Sequence, residues 1–378
     1  MSKCIPDGSG PSAVMGPLFR APGVTRRRLL EQAALAGAAA AGLGSLLAWG
    51  APAAADTTNP SSPADLDAAR KEGTLAVLHG DQEADVVAFL KSFTEKTGIA
   101  AQEVRMLPGV ALPKLAAEFR TGATDLDVYQ TSDAGLMDDL RLQGHVQRYL
   151  SPELKGFDRR YKSTPEGYWT AYFINVGTVM YDPRYVRKEE APKSFEDLLK
   201  PEWAHQVGFQ DASAGSQYAW WYVLQDVLPA DYWDRLAQQK PRAYASSTQM
   251  MQDLHSGDLK IGGKVSIFQY PKSVRQHQPI EVIFPAQGTP AQSQVVGILG
   301  GTRRSNAAKA YIDYLLSKEG QQRWNEIQGS YSPRSDVSIS GLPSLAHVKL
   351  LLPTNFARYR SVAEHQKFVK MWNAVVGF

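Results

Sequence analysis

From residue 74 onward, short apolar runs of strand length alternate with apolar residues at helical spacing, and glycines punctuate the units. "TLAVLHG" (74–80) is a compact apolar run. Val86, Phe89, Leu90 and Phe93 follow at three- and four-residue spacing and stop at Gly98. "AAQEVRM" is a second strand; Leu112, Leu115, Ala116 and Phe119 form the next helical stripe, closed by Gly122. "DLDVYQTSD" (125–133) is a third strand, and "AGLMDDLRLQG" a third helix. A strand buried on both faces reads as a continuous apolar run, and strands separated by helices can pair in parallel only through crossovers. The rhythm therefore predicts βαβ units around a mostly parallel sheet. Ligands of such sheets bind beyond the strands' carboxyl ends. The candidates there are His79, Asp81 and Gln82 after the first strand, and Thr131, Ser132 and Asp133 after the third.

The second half repeats the logic. Residues 168–183 read as extended, Phe195, Leu198 and Leu199 as a helix, and "HQVGFQ" (205–210) as a strand. Met250, Met251 and Leu254 mark a helix ending at Gly257. "KVSIFQYP" (264–271), "IEVIFP" (280–285) and "SQVVGILGG" (293–301) read as strands. Ala307–Leu316 is a helix with Ser305 or Asn306 as N-cap, and Phe368, Met371, Trp372 and Val375 share one helical face near the C-terminus. Between "HQVGFQ" and the aromatic segment at Trp220 lies Ser213-Ala214-Gly215-Ser216. Small residues at a helix start serve as N-caps, or they leave backbone N–H groups open to an anion. Asp81, Asp133 and Asp211 end strands; each is an N-cap, or a partner for a cationic amine on a ligand.

Residues 1–55 carry Arg26-Arg27-Arg28, an Ala/Leu/Gly run and Ala53-Ala54-Ala55 before Asp56. This is the pattern of a cleaved export signal, and Thr25–Leu30 is similar to the twin-arginine motif. Of the 41 basic and 38 acidic residues, that segment holds five and two, leaving 36 of each in a mature chain. A neutral balance gives no field to draw nucleic acid or a membrane surface. The only cysteine, Cys4, precedes the signal, so the mature protein has neither thiol nor disulfide and depends on its core.

"EGTLAVLHG", "FTEKTGIA", "DLDVYQTSD", "SFEDLLKPEWAHQVGF", "MMQDLHSGDLKIG" and "AYIDYLLSKEGQQRW" occur in that order across residues 65–336. Together they resemble the periplasmic solute-binding proteins of ABC importers, in the group related to ferric-iron-binding proteins. The resemblance implies an α/β fold of two lobes, each a mainly parallel sheet flanked by helices, joined by crossover hinge segments. The expected organisation is a signal peptide at 1–55, a polar leader at 56–63, a first lobe from 64–170 plus 290–320, a second lobe at 176–285, and a C-terminal helical segment, 321–378, packing on the lobes. It also implies a monomer that binds a small-molecule ligand and docks on an inner-membrane ABC permease.

Iron binders of that group take a His after the first strand, a Glu after the third and two adjacent tyrosines. Those positions fall on Gln82, Ser132 and Tyr270-Pro271 here. Fe(III) favours anionic oxygen ligands, so a direct iron site of that pattern looks lost. Iron remains an alternative through His79 or Asp133 in a shifted register, through Tyr270, or through Tyr168, Tyr172 and Tyr181 near the crossover. By the resemblance, "SAGS" stands where iron-binding relatives hold an accompanying anion. The expected ligand is thus an anionic or zwitterionic solute of phosphonate, organophosphate or carboxylate type, held by Ser213, Ala214, Gly215 and Ser216, with Thr131, Ser132, Tyr172 and Tyr270 beside it and no cofactor. The other class is a periplasmic hydrolase or lyase. The chain lacks His-Glu-x-x-His, Gly-x-Ser-x-Gly and a phosphate loop, and the expectation is a binding protein and not an enzyme.

Overall fold

A computed structural model describes residues 59–377 except 107, 123, 213 and 214. The expected signal peptide and most of the polar leader lie outside the described residues. Helix α1 (Leu66–Ala69) is capped by Asp65, whose carboxylate accepts from the amides of Asp67 and Ala68. Strand β1 (Leu75–His79) is buried along its whole length and leads into α2 (Glu83–Thr97), which stops at Gly98 in the left-handed conformation, φ 73°. Strands β2 (Ala101–Arg105) and β3 (Val128–Thr131) flank β1 in parallel, with α3 (Pro108–Thr121) between them. Next come α4 (Ala134–Leu142), a short β4 (Val146–Gln147) and the long β5 (Thr170–Tyr181).

The second half adds β6 (Val207–Gln210), α5 (Gly215–Leu224), α6 (Tyr232–Gln238), β7 (Arg242–Tyr244), α7 (Ser247–Ser256), β8 (Ile261–Ser266), α8 (Gln269–Arg275), β9 (Glu281–Ile283) and the long β10 (Thr289–Leu299). Helices α9 (Ser305–Leu316) and α10 (Lys318–Gln328), strand β11 (Leu350–Leu351), and helices α11 (Phe356–Tyr359) and α12 (Val362–Val376) complete the described chain. The strand order is β2-β1-β3-β10-β5-β8-β6-β7, with β4 and β11 on β10 and β9 on β5.

Two strands serve both halves. β10 pairs antiparallel with β3 and with the first half of β5, from Ala291↔Val176 to Val296↔Thr170. The second half of β5 turns to β8 and β9, as in Gly177↔Ser266 and Tyr181↔Glu281. The parallel strands of both lobes therefore point their carboxyl ends at the same crossing. Phe89, Phe93, Tyr311, Tyr314 and Trp324 pack one face of the first lobe. An aromatic cluster of Phe209, Trp220, Trp233, Phe368 and Trp372 fills the second.

Two local readings are corrected. Residues 264–271 are not one strand: β8 ends at Ser266, and Tyr270 and Pro271 lie in the first turn of α8. Proline fits there because its missing N–H has no partner in a first turn. Helix α9 is not capped by Ser305 or Asn306; the Glu72 carboxylate, distant in sequence, accepts from the amides of Asn306 (3.2 Å) and Ala307 (2.9 Å).

Trp372 anchors α12 to the second lobe. It is fully buried, and its indole N–H donates to the Gln210 carbonyl at 2.9 Å. Trp372→Ala is expected to lower unfolding stability by about 3–5 kcal/mol, read as a reduced denaturant midpoint; an unchanged midpoint would show that α12 contributes nothing to the second lobe.

Candidate functional site

The crossing of β5 and β10 is the floor of the site. A cavity of about 320 Å³ opens on it, lined by Ser132 and Ala134 from the first lobe, by Trp169, Ala171, Gln292 and Ser293 from the crossing strands and the approach to them, and by Arg160 and Tyr161. Its outer wall is the C-terminal segment: Leu352, Pro353, Thr354, Phe356 and Tyr359. A second, water-sized hollow adjoins it, sharing Gln292, and is lined by Asn175, Gly177, Ala219, Trp220, Lys264, Pro290 and Ala291.

The sequence candidates of the first lobe divide. Ser132 lines the cavity. Thr131 is buried, its hydroxyl accepting from the Asp133 amide. Asp133 is the N-cap of α4, accepting from the Leu136 amide at 2.9 Å. Burial raises its carboxyl above the ordinary range, against the pull of that amide and of Arg360. The His79 ring is buried and its Nε2 lies 2.8 Å from Glu103 Oε2. Gln82 occupies the N-cap position of α2 and is exposed, without a capping hydrogen bond. The hydroxyl of Tyr172, wholly buried, donates to Asp81. Burial raises the Asp81 carboxyl, and burial together with the Asp81 charge drives the Tyr172 phenol well above its usual range.

The three tyrosines taken as an iron cluster do not converge. Tyr172 and Tyr181 sit nine residues apart on the single strand β5, a span of about 30 Å. Tyr168 lies under the guanidinium groups of Arg141 and Arg148, at 5.6 and 5.9 Å. Among the described residues no group of three or more His, Cys, Asp or Glu side chains is placed to hold a metal ion.

In the second lobe, β6 delivers the chain through Asp211 to α5, which begins at Gly215 and Ser216. Ser213 and Ala214 lie outside the described residues. Gln217, third in the helix, is fully buried with both amide atoms unpartnered. Tyr270 opens α8, half-buried, with its hydroxyl against Gly341.

Sequence reasoning missed Lys264, the cavity wall at Tyr161 and Trp169, and Tyr359. Lys264 is 2 % exposed on β8, its aliphatic stem passing over Gly177 beside Trp220. Burial lowers its ammonium pKa to about 7. A lysine within the apolar stretch at 261–268 was the available signal, since taking a charge into a central strand is costly. Tyr359 gave no signal, because its place depends on how the C-terminal segment returns to the cleft.

Residues 126–346 match the family model described as bacterial extracellular solute-binding protein. The Fe(3+)-binding periplasmic protein of Serratia marcescens is 21 % identical over 266 residues, 68 % of this chain and 77 % of that one. Iron-bound HitA from Pseudomonas aeruginosa superposes with a TM-score of 0.65 at 18 % identity, covering 80 % of this chain and 99 % of that one. AfuA from Actinobacillus pleuropneumoniae, with fructose-6-phosphate bound, gives 0.62 at 21 % identity, covering 81 % and 99 %. The two-lobed architecture is that of the type II periplasmic binding proteins, and the chain belongs to the bacterial extracellular solute-binding protein family, whose members are substrate-binding components of transport.

Proposed function

We propose that this chain is the periplasmic substrate-binding component of an ABC importer, exported with a cleaved signal peptide, and that it captures a small anionic or zwitterionic solute between its lobes. Phosphonate, organophosphate and carboxylate groups fit the reading. The observation that carries it is Lys264, buried in a hollow against the second turn of α5. A helix N-terminus presents unpaired N–H groups and about half a unit of positive charge. Lys264 lies in the hollow against the second turn of that helix, beside Ala219 and Trp220. An anion near this end draws a proton onto an amine that titrates near neutrality, so its binding and the protonation of Lys264 support each other. Gln217, buried in the first turn without a partner, has donor and acceptor capacity to offer. Closure of the lobes then removes water and strengthens each polar contact.

The same fold carries iron in HitA and a sugar phosphate in AfuA, so the fold does not choose between them. The residues of this chain favour the anion, because His79 and Tyr172 are engaged by Glu103 and Asp81. The protein is read as a binding component that releases its solute to a permease unchanged.

Native mass spectrometry of the protein as purified is expected to show one bound anionic solute, and Gly215→Val to weaken that solute at least about tenfold with an unchanged melting temperature. Retained affinity in a folded variant would remove the α5 anchor. The purified protein is expected to be colourless; a visible phenolate–iron charge-transfer band would give the site to iron. Lys264 titrates near 7 when folded and at its ordinary 10.5 when unfolded. The unfolded chain therefore holds the extra proton between those values, and stability rises with pH across that window. Lys264→Met is expected to flatten this slope and to stabilise the ligand-free protein at pH 6, measured by thermal unfolding from pH 6 to 10.

A further inference from the structure

The larger cavity carries more information than its charge. Four of its lining side chains are aromatic: Tyr161, Trp169, Phe356 and Tyr359. Tyr161 is 2 % exposed, and its hydroxyl makes no well-formed hydrogen bond, with the Arg160 side chain as its polar neighbour. The Arg160 guanidinium lies over the Tyr161 ring, 4.8 Å from the centroid, and also lines the cavity. Tyr359 is held from two sides: the Tyr218 hydroxyl donates to its carbonyl at 2.5 Å and the Gln292 amide donates to its hydroxyl at 3.4 Å. Phe356 packs so closely on Gly135 that a Cβ there would lie 2.6 Å from the Phe356 Cβ. Arg360 ties the end of this wall to the first lobe through Asp139 at 2.5 Å.

We propose that this cavity is the seat of a six-membered ring, that the solute is a ring-bearing carboxylate or phosphate, and that the C-terminal segment 352–359 is part of its recognition. The inference rests on the solute-capture reading and adds the solute's body to its charge. A volume of about 320 Å³ lies at the small end of ligand pockets. Aromatic walls accept a ring by offset or edge contact, while an inorganic anion or a short polar acid leaves them unfilled. A buried hydroxyl without a well-formed hydrogen bond is costly, and the acid group carried by the ring can accept from it. Arg160, exposed and 3.7 Å from the Asp158 carboxylate, supplies a planar cation for the acid group.

The test uses the mature chain, freed of solute by dialysis, and four probes in isothermal titration: benzoate, phenyl phosphate, acetate and inorganic phosphate. The expected result is that each ringed probe binds at least about tenfold tighter than its ringless counterpart. Tyr161→Phe is expected to weaken the ringed probes about tenfold while leaving the ligand-free melting temperature unchanged or raised, because that hydroxyl makes no well-formed hydrogen bond to lose. A purely structural hydroxyl would lower the melting temperature and leave affinity alone. Phe356→Ala is expected to reduce the ring preference in a folded protein.

Equal affinities for ringed and ringless probes, no binding by any of the four, or full affinity in Tyr161→Phe each overturns the ring seat. If ring makes no difference yet Gly215→Val abolishes phosphate binding, the capture reading stands and the seat falls. If ringed probes bind wild type and Gly215→Val alike, the seat stands and the α5 anchor falls.

Discussion

The antiparallel pairing of β5 with β10 is the constraint on which the rest depends. Neither lobe has a complete sheet without these two strands. The first borrows the 291–298 stretch of β10 and the opening residues of β5; the second borrows the closing residues of β5. Because β5 is buried almost throughout, its backbone groups must find partners in the sheet, and a lobe cannot detach without exposing them. Relative motion is therefore confined to twisting this pair. The register shift between Gln294 and Val295 is the place where the ladder is already relaxed, since a bulge leaves a residue unpaired and increases local twist. That irregularity lies next to Gln292 and Ser293, on the cavity floor, so a change of lobe angle reshapes the cavity directly.

The C-terminal segment turns this hinge into an enclosed site. Its path runs from β11, paired with β10 at Thr289 and Pro290, through the cavity wall to α12 on the second lobe. The Trp372 and Phe368 rings anchor one end in the aromatic cluster, while Arg360 and Phe356 reach the first lobe. Loops normally vary while the scaffold persists. Here the wall between two such anchors has little freedom, and an aromatic pocket built on it is held in shape before the solute arrives, which reduces the entropy that binding must overcome.

The sheet was legible in the sequence because burial on both faces writes itself as a continuous apolar run. "TLAVLHG" became β1, and the extended stretch 168–183 became β5. What failed was whatever depends on partners far away in sequence. Residues 261–263 did not read as strand because Gly262 and Gly263 lack β propensity; the side chains of Phe209 and Val265 crowd them and leave room for nothing larger. The α9 cap comes from Glu72, more than two hundred residues earlier. Of the candidate site, the carboxyl ends of β3 and β6 were readable as positions, but no local pattern announces that His79 and Tyr172 turn away to carboxylates. The aromatic wall could not be read at all, since its members come from residues 161, 169, 356 and 359. Helical spacing at 368–375 marked a buried face and was silent about what the preceding residues cover.

The electrostatics of the cleft follow from the same return of the chain. Asp133 and Asp139 stand at the start and along the length of α4, on the side of the first lobe that faces Phe356. Left alone, two carboxylates at this lip would repel an anionic solute, and burial already strains the ionised form of Asp133. Arg360 bonds Asp139 and approaches Asp133 to 3.9 Å, which offsets part of the acidic lip. Basic groups also stand near the crossing: Lys264 lines the smaller hollow, and Arg160 lines the larger cavity beside Asp158. On the proposed reading of the cavity, removal of the C-terminal segment opens the aromatic wall and uncovers the Asp139 carboxylate that Arg360 pairs.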